Sequence, residues 1–217
     1  RSDGTVVCWG YGAYGQLGNG RSVSTNRPVP VSGLNQVKSL AVGYWHTLAL
    51  RQNGTVMAWG NGAQGQLGDG TWSTSNVPVS VIGLNGVRAI AAGTFESVAV
   101  KDDGTVWAWG MNYGGLLGPD PSVRANKPVQ VAGLSDIVSI ATGGGGFYLA
   151  RDSHGALWAW GKRDYGQLGD GYARSVTNCA IVSNLNGVVE IAAGNSHALA
   201  RKADGTLWAW GENYSGQ

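Results

Sequence analysis

Apolar and polar positions along the chain follow a pattern that repeats about every 50 residues. An Asp-Gly or Asn-Gly pair, replaced by His154-Gly155 in one copy, precedes a short apolar run, as in Asp103-Gly104-Thr105-Val106-Trp107-Ala108-Trp109-Gly110. The glycine of that pair recurs at positions 4, 54, 104, 155 and 205. Such pairs favour a tight hairpin turn in which both residues have positive φ, and β-branched and aromatic residues favour strands. The pattern therefore predicts one hairpin turn and one strand in every copy.

Three further strands are predicted in each repeat. A Gly-Gln-Leu-Gly loop leads to a segment such as Asn26–Val31, whose prolines belong on the edge of a sheet because proline donates no backbone hydrogen bond. The run Val37–Val42 and its counterparts are apolar on both faces, so we expect this strand innermost, with neighbours on both sides. A strand at Thr47–Leu50 follows. No stretch shows a helical period, and each unit is predicted to be a four-stranded antiparallel meander.

The tryptophan strand indicates how the units pack. Trp107 and Trp109 project from one face and Val106 and Ala108 from the other, because side chains alternate along a strand. Both faces are apolar, but one carries bulky side chains and the other carries small ones. We therefore expect the tryptophan face of one unit to stack on the alanine face of the next, and twisted sheets stacked in this way form a β-propeller.

The predicted ring is incomplete. The repeats run over about 1–50, 51–100, 101–151 and 152–201, with a partial one at 202–217, and give three full blades and two partial ones in a single domain. Two interpretations follow: a piece of a longer propeller, which we favour, or copies that associate through their open ends into a ring or filament. The residues expected at these ends are Val6, Trp9, Trp208 and Trp210.

Composition narrows the range of partners. The net charge is +2 and no run of Lys or Arg occurs, so the chain lacks the electrostatic footprint of a nucleic-acid-binding protein. No apolar run has the length of about 20 residues that membrane insertion requires. The scarcity of lysine favours an extracellular or cell-surface protein of a bacterium.

Candidate catalytic and ligand-binding groups lack the partners that such chemistry needs. His46 and His197 occupy the same place in their repeats, where Glu96 and Gly146 stand in the others. A metal site needs three or four converging ligands, so we predict neither a metal nor a cofactor. The glycine pattern of residues 10–15 and 60–65 precedes a strand, not the helix that would hold a pyrophosphate. We expect no enzymatic activity.

The positions that differ between otherwise similar repeats are the candidate binding residues. They follow the innermost strand, and loops on a rigid scaffold commonly carry binding functions. We expect Tyr44, Trp45 and Phe95 to form an aromatic patch of the kind enriched at interfaces. The candidate rim residues are Tyr44, Trp45, Thr94, Phe95, Asn195 and Ser196. Further variable loops lie at Trp72, at Tyr113, over 119–124 and over 172–174.

The motifs Gly-Gln-Leu-Gly, Pro-Val-x-Val, Ile-Ala-Ala-Gly-x-x-His and Asp-Gly-Thr-Val-Trp-Ala-Trp-Gly resemble the regulator of chromosome condensation repeat over the whole chain. The resemblance implies a propeller, seven-bladed when complete. Founding members of that family are exchange factors for the Ran GTPase and use a wedge inserted in one blade, whereas the repeats here are uniform in length.

Three functions follow as hypotheses. The first is a non-catalytic scaffold that binds a protein partner through rim loops. The second is a self-assembling structural protein, in which the open ends pair between copies. The third, which we favour least, is a nucleotide exchange factor or an enzyme inhibitor.

Overall fold

A computed structural model of the chain describes residues 1–112, 114–118, 120, 122–171 and 176–217. These residues form 17 strands and no helix. The first sheet contains β1 (Val7–Gly10) and β2 (Thr25–Pro30), and the next contains β3 (Val37–Val42), β4 (His46–Arg51), β5 (Val56–Gly60) and β6 (Ser75–Ser80). They are followed by β7 (Val87–Ala92), β8 (Glu96–Lys101), β9 (Val106–Met111) and β10 (Arg124–Gln130). The remaining strands are β11 (Ile137–Gly143), β12 (Phe147–Asp152), β13 (Leu157–Gly161), β14 (Val176–Ile181), β15 (Val188–Ala193), β16 (His197–Lys202) and β17 (Leu207–Gly211).

The strands form three four-stranded antiparallel sheets between two partial ones. The orders are β1-β2, β3-β4-β5-β6, β7-β8-β9-β10, β11-β12-β13-β14 and β15-β16-β17. Each sheet is a meander, and in the first three the proline-containing strand lies at the outer edge. The first strands of neighbouring sheets contact one another, so they lie towards the axis. The prediction of an all-β propeller with three full blades and two partial ones is confirmed. We refer to the five sheets as blades 1 to 5.

The innermost strand differs from the prediction in its burial. It pairs on one side only and is half-exposed along much of its length, as in β3 and β15. The second strand is the most buried element of each full blade, and β4 is buried from His46 to Leu50. The reason is geometric, since the second strand has a hydrogen-bonded neighbour on each side and a packed blade on each face. The inner strand faces the axis with its free edge.

The blades stack as the alternation of side chains predicts. Trp109 of blade 3 is fully buried against Leu50 and Ala58 of blade 2. Trp160 of blade 4 packs on Ala108 of blade 3 in the same way. A buried tryptophan removes roughly 150–250 Å² from water, so these junctions are the main apolar contribution to the core.

The hairpin turns differ in type from the prediction. Gly54 has φ of 76°, but Asn53 is not among the residues with positive φ. The Gly54 amide donates to the Arg51 carbonyl and the Arg51 amide donates to the Thr55 carbonyl, which defines a three-residue loop with glycine in the left-handed position. Asn53 acts through its side chain, whose Oδ1 accepts a hydrogen bond from the Thr55 amide at 3.1 Å.

The two ends of the stack present different faces. Val6 is buried against blade 2 and Trp210 packs into the junction with blade 4, so these two of the four residues expected at the ends do not form the open faces. Trp9 is 61% exposed on the outer face of blade 1 and Leu207 is 68% exposed on the outer face of blade 5. Trp208 is also exposed. Blade 1 therefore ends the stack with a tryptophan face, and blade 5 ends it with a small-residue face.

Nothing in the part of the chain that the structure describes is a helix with the length and apolarity needed to cross a membrane.

Candidate functional site

Two kinds of connection share one rim of the propeller. In an antiparallel meander the turn between the first and second strands and the turn between the third and fourth strands lie at the same end. Backbone hydrogen bonds confirm this arrangement, because the amide of Asn61 donates to the carbonyl of Trp45 at 2.9 Å. In the next blade, the amide of Met111 donates to the carbonyl of Phe95 at 3.0 Å. We call this end the upper rim.

Four aromatic rings form one cluster on the upper rim. Trp45 is central, with ring centroids 4.7 Å from Tyr44, 5.2 Å from Tyr14 and 6.4 Å from Tyr11. The exposed fractions are 71% for Tyr44, 57% for Tyr11 and 41% for Tyr14. Phe95 makes none of these ring contacts, so the expected patch of Tyr44, Trp45 and Phe95 is wrong in its membership. We call Tyr11, Tyr14, Tyr44 and Trp45 the aromatic cluster.

The predicted rim residues do not include Tyr11 and Tyr14, which lie in the loop after β1. The signal was present in the sequence. Residues 11–14 read Tyr-Gly-Ala-Tyr where blade 2 has Asn-Gly-Ala-Gln, and a meander brings this loop to the same rim as Tyr44 and Trp45.

The other predicted rim residues join the blades to one another. Thr94 Oγ1 donates to the carbonyl of Gly144 at 2.9 Å, and the amide of Gly145 donates to the carbonyl of Asn195 at 2.7 Å. Ser196 is buried. Thr94 and Asn195 thus bond between neighbouring connections along the rim, and Ser196 does not offer an exposed surface.

Beneath the rim, the first residue of the second strand in blades 2 and 3 is a buried polar group that reaches the next blade. His46 Nε2 lies 2.8 Å from Ser97 Oγ, and burial lowers the pKa of His46 to about 3. Glu96 holds the same place one blade later, where burial raises its pKa to about 7 and Tyr148 is its hydrogen-bond partner in blade 4. His46 is therefore uncharged near neutral pH, whereas Glu96 is about half ionised at pH 7, and both groups connect blades.

The corresponding residue in blade 4 is Phe147, whereas counting along the repeats predicts Gly146 at this place. Phe147 pairs with Gly161 as His46 pairs with Gly60. The single extra residue of this repeat lies in the connection before the strand, which shifts the alignment by one.

The described residues contain no group of three or more His, Cys, Asp or Glu side chains arranged to hold a metal ion. Cys8 and Cys179 are free thiols. Burial raises the pKa of both, that of Cys179 to about 11, so neither is an activated nucleophile. Among the variable loops, Tyr113, Pro119, Pro121 and 172–174 lie outside the described residues.

Comparison with known proteins agrees with this architecture. The family model described as RCC1-like domain matches residues 1–217. Human WBSCR16 is 27% identical with a TM-score of 0.84, and the alignment covers 98% of this chain and 58% of that one. Prp20p from Saccharomyces cerevisiae is 26% identical with a TM-score of 0.80, and the alignment covers 98% of this chain and 55% of that one. No match was found among curated protein sequences.

The fold and the stacked blades define a β-propeller. The chain belongs to the RCC1-like domain family. It spans between half and three-fifths of the length of the solved relatives. Yeast relatives bind proteins: Prp20p binds Gsp1p and histones, and yeast RCC1 has been solved bound to Kap60. RCC1-like homologues thus support a protein-interaction propeller in general terms.

Proposed function

We propose that the chain is a non-catalytic scaffold that binds a protein partner through the aromatic cluster on its upper rim. The observation that carries this proposal is the cluster itself, in which three tyrosines with exposed rings surround one tryptophan. Tyrosine and tryptophan dominate interface hot spots because they bring a large apolar surface at a small cost in side-chain entropy. The binding of proteins by yeast relatives supports the same class of function.

The cluster has the physical character of an interface anchor. It combines apolar ring faces with three tyrosine hydroxyls, and it is held on two loops of neighbouring blades, so little ordering is needed on binding. The ring faces suit an apolar side chain or an arginine, which stacks on aromatic rings. We therefore infer a partner segment that presents apolar or arginine side chains.

Site-specific photocrosslinking tests this function. A benzoylphenylalanine in place of Tyr44 should crosslink a discrete protein partner in an extract of the source cells. The same group in place of Tyr214, which is 85% exposed in the segment after the third strand of blade 5, is the control. Crosslinking at Tyr44 alone supports the proposal, and crosslinking of the same products at both positions contradicts it.

A second candidate function, self-assembly, is favoured by the two end faces. Trp9 is exposed on the tryptophan face of blade 1, and Leu207 is exposed on the small-residue face of blade 5. Each internal junction packs one face of each kind, so the end of one copy is complementary to the start of another. Contacts of this head-to-tail type continue into filaments unless the ring closes.

Light scattering over a concentration series tests self-assembly. The mass should rise with concentration, and Leu207→Glu should hold the chain as a monomer because it places a charge in the apolar contact. Thr206→Glu, at the exposed turn before the strand, is the control and should leave the mass unchanged. A monomer at every concentration contradicts this function.

A third candidate, nucleotide exchange on a GTPase, rests only on the family. A nucleotide-release assay tests it, and acceleration of release by the purified chain is the result that would favour it over the scaffold.

A further inference from the structure

Three of the four blade junctions close in the same way around a tryptophan ring. Its Nε1–H donates to a loop carbonyl of the preceding blade, that of the glutamine in Gly-Gln-Leu-Gly. The pairs are Trp59 with Gln16 at 2.8 Å, Trp109 with Gln66 at 2.9 Å and Trp210 with Gln167 at 2.8 Å.

The last glycine of that motif lies against the same ring. A Cβ atom added to Gly68 would lie 2.7 Å from Nε1 of Trp109, and one added to Gly169 would lie 2.8 Å from Nε1 of Trp210. The loop is therefore in close contact with the indole edge, and the junction is closed.

The junction between blades 3 and 4 departs from this pattern. Its loop reads Gly115-Leu116-Leu117-Gly118, so Leu116 stands in place of the glutamine. Leu116 is buried in the junction core, whereas Leu117 is only half-buried. In blade 2 the residue aligned with Leu117 is Leu67, and that leucine fills the core. Leu116 thus takes the core position that Leu67 has in blade 2, although the Gly118 amide donates to the Gly115 carbonyl as the Gly68 amide donates to the Gly65 carbonyl.

Asn112 holds the loop in the conformation that places Leu116 in the core. It stands where blade 2 has Gly62. Its Oδ1 accepts a hydrogen bond from the Leu117 amide at 2.5 Å, and its Nδ2 donates to the Gly118 carbonyl at 2.9 Å. These bonds tie the loop to the end of β9, away from the neighbouring indole.

Two consequences are visible at Trp160. Its Nε1–H is buried and has no hydrogen-bond acceptor within the described part of the chain, although its counterparts in the other junctions each have one. A Cβ added to Gly118 would meet no atom within 4 Å, so the close contact seen at Gly68 is absent. A buried donor without an acceptor costs roughly 1–3 kcal/mol, which an acceptor from outside the chain would recover.

A cavity of about 410 Å³ occupies this junction. Leu117, Val131, Trp160 and Cys179 contribute its apolar wall, and the described residues that line it carry no charged side chain. Cavities of this size hold small organic molecules, and such sites are mostly apolar with few polar groups that fix orientation. Val129, which lines the edge of the cavity, is exposed, so the cavity is open to solvent on that side.

We propose that this cavity binds a small uncharged molecule, largely apolar, that presents a carbonyl oxygen to the indole N–H of Trp160. The ligand supplies the acceptor that the glutamine carbonyl supplies in the other three junctions. Leu117 and Trp160 both line the cavity, and access of the carbonyl to the buried Nε1 requires a lining side chain to move.

Nuclear magnetic resonance of the indole N–H groups tests the proposal, with cyclohexanone as the probe. Cyclohexanone should shift the Trp160 signal saturably downfield and leave those of Trp59, Trp109 and Trp210 in place. Methylenecyclohexane, which has the same shape and no carbonyl, is the matched probe and should not produce the downfield shift. No saturable shift with cyclohexanone, or the same shift with both probes, overturns the proposal.

Two variants separate binding at this site from binding elsewhere. The double variant Asn112→Gly/Leu116→Gln rebuilds the loop of the other junctions, and the Trp160 signal should then no longer respond to cyclohexanone. In Trp160→Phe the cavity stays apolar but the donor is gone, and cyclohexanone should bind about fivefold more weakly. An unchanged response in the double variant, or unchanged affinity in Trp160→Phe, would overturn the proposal.

Discussion

His46 and Ser97 are joined across two blades by a hydrogen bond of 2.8 Å between Nε2 and Oγ. The Ser97 hydroxyl itself donates to the Gln66 carbonyl at 2.8 Å, so its proton is committed and the imidazole must donate through Nε2. Nδ1 is then unprotonated, and it has no partner. The histidine is thus fixed in its neutral form, which explains why burial lowers its pKa to about 3.

The pH dependence of stability should show two opposing contributions. His46 has a folded-state pKa of about 3 against 6.5 unfolded, so its contribution is present above pH 6.5 and is lost as pH falls. Glu96 has a folded-state pKa of about 7 against 4.5 unfolded, so its contribution is present below pH 4.5 and is lost as pH rises. Between about pH 5 and 6 the unfolded state protonates His46 and the folded state protonates Glu96, and the two slopes cancel.

Single variants should reveal each slope in urea unfolding experiments. In His46→Phe, the free energy of unfolding should fall as pH rises from 5 to 6, by up to about 1.4 kcal/mol per pH unit. The reason is that only Glu96 then contributes to the pH dependence in this range. In Glu96→Gln it should rise by a similar amount as pH increases. Phe147 occupies the same place in blade 4, so phenylalanine suits the site. Parallel flat profiles in both variants would contradict the assignment.

Trp109 and Trp160 should differ in the cost of losing their indole nitrogen. Trp109 donates to Gln66, whereas Trp160 has no acceptor. We expect Trp109→Phe to lower the free energy of unfolding by at least about 1 kcal/mol more than Trp160→Phe, because the second change removes an unsatisfied buried donor. Chemical denaturation measures both under the same conditions. A larger loss for Trp160→Phe would be evidence against the opened junction.

Gln36 is predicted to be a strained position. It has φ of 53°, and the equivalent residue of blade 2 is Gly86 with φ of 60°. Gln36→Gly should raise the thermal midpoint, with a gain of about 0.5–1 kcal/mol, because the left-handed region is costly for a residue with a Cβ atom. Asn184→Gly is the control, since Asn184 has φ of 63° and asparagine tolerates this region, so its gain should be smaller. Equal effects would argue against strain at Gln36.

The main features of the fold could be predicted because each rests on a repeated pattern. The alternation of Trp107 and Ala108 determines both faces of a blade, and Pro28 and Pro30 mark the outer strand. The inner strand was less predictable, since its apolar side chains indicate packing but not the free edge that leaves β3 half-exposed.

The functional details depend on departures from the repeat, which a consensus pattern obscures. The shift at Leu116 could not be predicted, because two adjacent leucines satisfy the same hydrophobic position and only the hydrogen bonds of Asn112 select between them. Trp45 was predicted as a rim residue, yet its contact with Tyr14 joins loops from different blades. Nothing in the spacing of either repeat encodes that distance.

The most direct test of the proposed function is the affinity for the partner crosslinked at position 44, measured with Trp45→Ala. We predict at least tenfold weaker binding, because the variant removes the central ring of the aromatic cluster. Tyr214→Ala, with its exposed ring at the other end of the upper rim, should bind as tightly as the parent chain. Equal affinity of the Trp45→Ala variant and the parent would contradict the proposal that this cluster is the binding surface.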